Sequence, residues 1–217
     1  MQSSNADKSN VRVSLASKTE LVEGAKLIAQ VGLVPLTQGN LSIRDHQTGL
    51  IVVTPHDYPY DRMTVDDVVV VDLEGNVIEG TRAPSDETPV HLAVYEKRPE
   101  VMGIVHAEPV YTNAFGVVHQ PVAALHVGMA IDVGGAVPVM PFMNSGSREF
   151  GYEMLRVMGD KNAVIWANHG MLAVGTSLKK AIHCTVMVEM TAKIQIMAQH
   201  LGDLVVIPDD VIRSLIA

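Results

Sequence analysis

Residues 163–174 read Ala-Val-Ile-Trp-Ala-Asn-His-Gly-Met-Leu-Ala-Val. Two apolar runs, Ala163–Ala167 and Met171–Val174, flank Asn168-His-Gly170. Each run is too short for a helix, and Asn and Gly are turn formers, so the stretch predicts two strands reversed by a tight turn. Strands joined in that way are antiparallel and need no crossover helix between them.

Working outward, Ser177–Leu201 reads as a long helix with apolar residues at positions 182, 186, 190, 194 and 197, and a short N-capped helix follows from Pro208. Upstream, Ser147–Met158 reads as a helix, and Val137–Met140 and Ala123–Val127 as strands. Gly103–Glu108 (Gly-Ile-Val-His-Ala-Glu) is a buried strand with polar residues near its end, stopped by Pro109 and followed by a short helix through Phe115. Ser85–Arg98 is a loop entering a helix, with Thr88 as N-cap and Pro89 at the first helical position. Val68–Leu73 and Val77–Glu79 pair about Glu74-Gly-Asn76. Gly49–Thr54 is a β-branched strand closed by Pro55, and Gly39-Asn40 is a turn feeding Leu41 and Ile43. Ser17-Lys-Thr-Glu20 reads as a capping box for a helix with Leu21, Val22, Ala25, Ile28 and Ala29 on one face and Gly32 as its stop. Helices flanking about eight or nine short strands predict an α/β fold in αβα layers, with a mixed, largely antiparallel sheet. No Gly-rich dinucleotide or P-loop pattern follows a strand.

The chain has 217 residues, which suits one domain. Residues 1–14 are expected to form a disordered polar arm, and 15–217 the domain; Met1–Asn10 lacks the apolar centre of a signal peptide. With 47% hydrophobic but only 4% aromatic residues, the core falls to Val, Ala, Ile, Leu and Met. A net charge of −8 and the lack of any dense Lys/Arg run argue against a nucleic-acid partner. No apolar run approaches the ~18 residues of a membrane helix. The single cysteine, Cys184, cannot form an internal disulfide, which fits a cytoplasmic location, and its helical setting reads as buried and apolar.

Of nine histidines, two stand apart. His106 and Glu108 are separated by one residue on a strand and so project to the same side. His169 sits in the turn between two apolar strands. Two imidazoles and a carboxylate form a common open metal site, with positions left for substrate. The same residues also fit a strand-end His–Glu hydrogen bond with an unrelated turn histidine. His46, His119, His183 and His200 read as structural or surface residues.

Several stretches, taken together and in order, resemble the class II aldolase and adducin-head family. They are Gly39-Asn-Leu-Ser-Ile-Arg44, Val53-Thr-Pro55, Val68–Asp72 with Gly75, Pro84-Ser-Asp-Glu-Thr-Pro-Val-His91, Arg98-Pro99, Ile104-Val-His-Ala-Glu108, Gly134-Gly135 and Asn168-His-Gly170. The resemblance runs from roughly Glu20 to Leu201. It implies an αβα fold, a homotetramer with active sites between subunits, a small-molecule substrate in carbohydrate metabolism, and one divalent metal ion per subunit. It also implies that His106 and His169 ligate the metal and that Glu87 is the catalytic acid/base. The metal would chelate a hydroxy-carbonyl unit and stabilise the enediolate formed when a C–C bond breaks.

The chain departs from that pattern at two places. The family's aldolases have a second strand histidine where Glu108 stands, which makes the site harder and favours Mn²⁺, Co²⁺, Fe²⁺ or Mg²⁺ in competition with Zn²⁺. The alternative is that Glu108 marks loss of metal, as in adducin heads. The family's phosphate pocket is matched by Asn40 and Ser85, but His56-Asp57 and Asp86 replace neutral residues. Two carboxylates repel a phosphate dianion, so the substrate is expected to lack a phosphate there or to carry its anion elsewhere. His126 stands beside the position of a family proton donor and joins the substrate-binding candidates; His91, Tyr111 and Arg148 are further ones.

The resulting expectation is a metal-dependent lyase cleaving a sugar-like hydroxy-carbonyl compound. A decarboxylase of a hydroxylated acid is the alternative, with Arg44 or Arg148 to meet the carboxylate. A sugar-phosphate epimerase or a non-catalytic module comes third.

Overall fold

The structure is a computed structural model and describes residues 12–216. Among the described residues, eight strands form one sheet: β1 (Asn40–Arg44), β2 (Ile51–Val53), β3 (Val69–Val71), β4 (Val77–Glu79), β5 (Gly103–Ala107), β6 (Val139–Met140), β7 (Ala163–Trp166) and β8 (Gly170–Gly175). Their order is β4-β3-β2-β1-β5-β8-β7-β6. All neighbours pair antiparallel except β6 with β7. The hairpin read from residues 163–174 is present as β7–β8, with Trp166 opposite Gly170.

Among the described residues seven α-helices complete the fold: α1 (Leu15–Gln30), α2 (Thr88–Lys97), α3 (Val110–Val118), α4 (Val127–Val133), α5 (Arg148–Met158), α6 (Leu178–Ala198) and α7 (Asp209–Ile216). Side chains alternate across a strand, so the sheet has two buried faces. Leu41, Ile43, Val52 and Val105 pack with Leu21, Ala25 and Ile28 of α1 and with Ala181 and Ile182 of α6. Ile165, Met171 and Ala173 extend this layer onto α3 and α6. On the opposite face, Ile51, Val53, Ile104, Val164, Trp166 and Leu172 meet Val90 and Val94 of α2 and Phe150 and Met154 of α5. This is the αβα arrangement expected from the pattern of short strands.

Five details differ from the sequence reading. Residues 123–127 form no strand: Val122 makes an isolated bridge to Val137, and Val127 opens α4 instead. The first helix is capped by Ser14, whose Oγ accepts from Ser17 N, rather than by Ser17, because Asp45 draws both hydroxyls to itself. Val13 is buried, so packing begins before residue 15; residues 1–11 of the expected arm lie outside the described residues. The N-cap of α2 is Glu87, while the Thr88 hydroxyl donates back to the Ser85 carbonyl.

The buried stripe of α6 is only partly the expected one. It keeps Ile182 and otherwise runs through Ala181, Cys184, Thr185, Val188, Thr191 and Ala192, while Val186 and Met197 are exposed. Small residues let the helix approach the sheet closely, and both threonines donate to the carbonyl four residues back, which satisfies their buried hydroxyls. The same closeness explains Gly103, where a Cβ would lie 2.4 Å from the Leu178 backbone.

Asp45 joins the first helix to the end of β1. It is 2% exposed and accepts from Ser14, Ser17, Gln47 and Thr48. Burial alone would raise its carboxyl, but these donors outweigh burial and hold it at about 2. Asp45→Ala should destabilise the fold by about 1.5–3 kcal/mol, the scale expected for hydrogen bonds to a charged group, read as a lower urea midpoint at neutral pH. A carboxylate depressed from 3.8 to about 2 contributes stability above the first value and loses it as pH falls through the second. The gap between wild type and variant should therefore narrow between about pH 4 and pH 2.

Candidate metal centre

The site lies at one end of the sheet, on the face covered by α2 and α5. Antiparallel pairing brings the start of β1 against the end of β5, with Asn40 opposite His106. On the other side of β5, His106 stands opposite Leu172 of β8. His106 shares the α2/α5 face with Ile104, two residues before it. The β7–β8 turn then carries His169 to the same end, with Asn168 in the left-handed region at φ 58°. Glu87 comes from the N-terminus of α2, which the strap of residues 83–85 holds against the end of β2: His56 N donates to Ala83 O, and Ser85 N to Thr54 O.

Two glycines permit this convergence. A Cβ on Gly170 would lie 2.6 Å from Ala107 O, 3.0 Å from His106 Cε1 and 3.1 Å from Glu108 Cγ. One on Gly39, at φ 85°, would lie 2.7 Å from His106 O. The Tyr60 hydroxyl donates to Gly39 O at 2.8 Å and pins that turn.

The ligating atoms of Glu87, His106 and His169 all lie within 4.8 Å of one another. Glu87 Oε2 is 3.1 Å from His106 Nε2, and Glu87 Oε1 is 3.7 Å from His169 Nε2. Glu108, one residue past β5, places Oε1 3.8 Å from His169 Nε2. His106 is 1% exposed, and its ring stacks on Trp166 with centroids 4.4 Å apart. Its Nδ1 lies 2.9 Å from Met171 O. A carbonyl only accepts, so Nδ1 carries a proton and a neutral ring turns the Nε2 lone pair toward Glu87. A lone pair facing a buried carboxylate at 3.1 Å requires a cation, either a ring proton or a metal ion. Two imidazoles with two carboxylates are a donor set suited to a divalent transition metal.

Burial pushes the Glu87 carboxyl up, but His106, hydrogen bonds from Asn40 and Ser145, and His169 outweigh it and hold the group at about 2. Burial lowers His169, reinforced by His106 and opposed by both carboxylates, which favours its neutral, ligating form. Burial raises Glu108; His169 opposes that and the charge of Glu87 adds to it. Behind the site, burial holds His91 at about 3, with Glu87 opposing and His106 reinforcing, and its Nδ1 lies 2.7 Å from the Ser42 hydroxyl.

A cavity of about 330 Å³ adjoins the cluster through Asn40, whose Nδ2 donates to Glu87 Oε2 at 2.9 Å. Asn40, His56, Asp57, Ser85 and Asp86 all line it. The other candidates lie apart. His126 is exposed and caps α4, accepting from Gly128 N, and no hydrogen bond or ion pair among the described residues joins it to the cluster. Arg148 pairs with Glu96, and Arg44, four residues along β1 from Asn40, donates to the Tyr95 carbonyl. Within this chain neither arginine meets the centre. Tyr111 N donates to Glu189 on α6. Sequence reasoning missed Trp166, Ser145, Thr37 and Tyr60. The lone tryptophan, at the end of the strand that enters the His169 turn, was the one available signal among them.

Residues 19–196 match the family described as the class II aldolase and adducin N-terminal domain. A 5-deoxy-D-ribulose 1-phosphate aldolase of Bacillus thuringiensis serovar kurstaki is 30% identical, covering 91% of this chain and 92% of its own length. An L-fuculose phosphate aldolase of Escherichia coli O6:H1 is 28% identical, with 88% and 87% covered. A solved L-fuculose 1-phosphate aldolase superposes with a TM-score of 0.88 at 33% identity, over 94% of this chain and 95% of that one. The fold and the extent of these matches agree: the chain belongs to the class II aldolase and adducin family.

Proposed function

We propose that this chain is a divalent-metal-dependent carbon–carbon lyase, an aldolase that cleaves a small, sugar-like hydroxy-carbonyl compound. The observation that carries the reading is the convergence of His106, His169, Glu87 and Glu108 at one sheet end beside a cavity. The names of the relatives, aldolases of sugar phosphates, support the reaction class. His106, His169 and Glu108 would hold the metal, whose identity among Zn²⁺, Mn²⁺, Co²⁺, Fe²⁺ and Mg²⁺ the donor set leaves open. A bound cation supplies Lewis acidity to the hydroxy-carbonyl unit. Glu87, oriented by Asn40 and Ser145, takes the hydroxyl proton as the C–C bond breaks. It then returns a proton to the carbon that kept the bond's electron pair. The stack on Trp166 and the Met171 carbonyl hold the His106 ring in place.

A second assignment of the two carboxylates has its own support. Glu87, not Glu108, lies within ligating reach of both imidazoles. In that reading Glu87 ligates and Glu108 moves the proton.

Elemental analysis of the purified protein should find about one transition metal per chain. His106→Ala should abolish it, with Trp166 emission, responsive to metal in wild type, becoming unresponsive. Glu87→Gln should keep the metal and lower C–C cleavage by about 10²–10⁴-fold, the range of general acid–base catalysis, while Glu108→Gln weakens metal binding. The reverse pattern, metal lost in Glu87→Gln and kept in Glu108→Gln, selects the second assignment. No metal after reconstitution with Mn²⁺, Co²⁺ and Zn²⁺, together with no cleavage of any ketose, overturns the lyase.

We further propose a cytoplasmic homotetramer with active sites between subunits. The apolar residues exposed on this chain support an assembly: Val117 and Val118 on α3 are each 59% exposed, and Phe142, in the loop before α5, is 65% exposed. Among the described residues no helix is long and apolar enough to cross a membrane. Light scattering should return four chain masses; a stable monomer with full cleavage activity would exclude shared sites.

A further inference from the structure

Three side chains lining the cavity beside the centre offer acceptors, Asn40, Asp57 and Asp86; Thr37 directs its hydroxyl proton at Asp57, and His56 and Ser85 complete the polar lining. Asp86 lies at its rim with Oδ2 3.3 Å from His56 Nδ1. Asp57 is held by the Thr37 hydroxyl, 2.6 Å from its Oδ1, in the left-handed region at φ 44°. The third acceptor is deeper. Asn40 is 5% exposed, and its Oδ1 has no hydrogen-bond partner. Its amide orientation is set by chemistry: Nδ2 lies 2.9 Å from the carboxylate of Glu87, which only accepts, so the oxygen is the free atom. A buried amide oxygen without a partner calls for a donor.

The cavity also adjoins the N-terminus of α2, a place where backbone N–H groups and the helix dipole would otherwise favour an anion. Here the protein's own carboxylates, Asp86 and Glu87, flank that terminus. Even a protonated His56 balances only one of the two charges of Asp57 and Asp86. A phosphate monoester brings acceptors and about two negative charges, and would meet acceptors and like charge.

We propose that this cavity binds an unphosphorylated, hydroxylated end of the substrate, whose O–H groups donate to Asn40 Oδ1, Asp57 and Asp86. The proposal rests on the lyase reading and parts from the relatives, whose names carry sugar phosphates.

The test is calorimetric titration of the metal-loaded protein with dihydroxyacetone and with dihydroxyacetone phosphate. The two share the hydroxy-ketone unit and differ only in the group the cavity would meet. Wild type should bind the free triose at least tenfold more tightly. Asp57→Asn, which keeps the Thr37 contact and tolerates the left-handed backbone, combined with Asp86→Ser should shift the preference toward the phosphate ester by at least tenfold. Asp86→Ser alone, at an exposed position, should move it in the same direction if the double variant folds poorly. Tighter binding of the phosphate ester by wild type, or a preference unmoved by the substitutions, overturns the inference and leaves the lyase standing. Failure of both trioses to bind a protein that holds metal and cleaves a ketose also overturns the inference alone, whereas failure to bind together with no metal and no cleavage takes the lyase reading with it.

Discussion

The site depends on the antiparallel register of β1, β5 and β8. Asn40 opens β1, His106 stands near the end of β5, and the turn that carries His169 leads into β8, so the three strands bring polar groups to one common end. Pairing Asn40 with His106, and His106 with Leu172, stacks those ends beside one another. A slip of one residue would turn His106 toward α1 and α6 and Val105 toward α2. Leu41, Ile43, Ile104, Val105 and Leu172 are all buried, so the hydrophobic pattern fixes the register and the register fixes the chemistry. Gly39 and Gly170 matter for the same reason: each lies where a side chain would strike the end of β5.

Burying two imidazoles beside two carboxylates is costly unless each charge is answered. The protein answers from several directions. Asn40 and Ser145 donate to Glu87, the Met171 carbonyl fixes one His106 nitrogen, and Trp166 covers the ring. Behind them Ser42 links His91 to the Tyr95 hydroxyl in a buried polar chain between the sheet and α2. Such networks hold side chains in one geometry, which a cluster of ligating groups requires. Gathered charge at the sheet end and uncharged packing along the strands therefore divide the molecule between reactivity and rigidity.

The layered fold was legible because it rests on period-2 and turn signals. The β7–β8 hairpin, the β3–β4 hairpin and β5 all fall where alternation and Gly/Asn turns place them. The errors have local causes. Residues 123–127 have strand-like composition, but His126 caps a helix there, and tertiary context overrode propensity. Of the apolar positions expected to face inward on α6 only Ile182 is buried, because close approach to the sheet selects small residues and turns the stripe toward Ala181, Cys184, Thr185 and Val188. Capping at Ser14 rather than Ser17 follows from Asp45, a partner about 30 residues away that no local motif reveals.

By itself the sequence determined which residues could do chemistry. A histidine and a glutamate spaced by one at a strand end, a histidine in a tight turn, and a glutamate entering a helix are all local facts, as is the replacement of neutral residues by His56, Asp57 and Asp86. Only the tertiary structure decided which of these meet. Glu87 is 19 residues from His106 in the chain yet 3.1 Å from it in space. Asn40 reaches both through a strand register, and His126 is turned away to cap a helix. The division has a physical origin. Periodicity and turn chemistry act over a few residues and specify elements, whereas a site is a meeting of element ends, set by the burial of faces that are complete only when all the strands have paired.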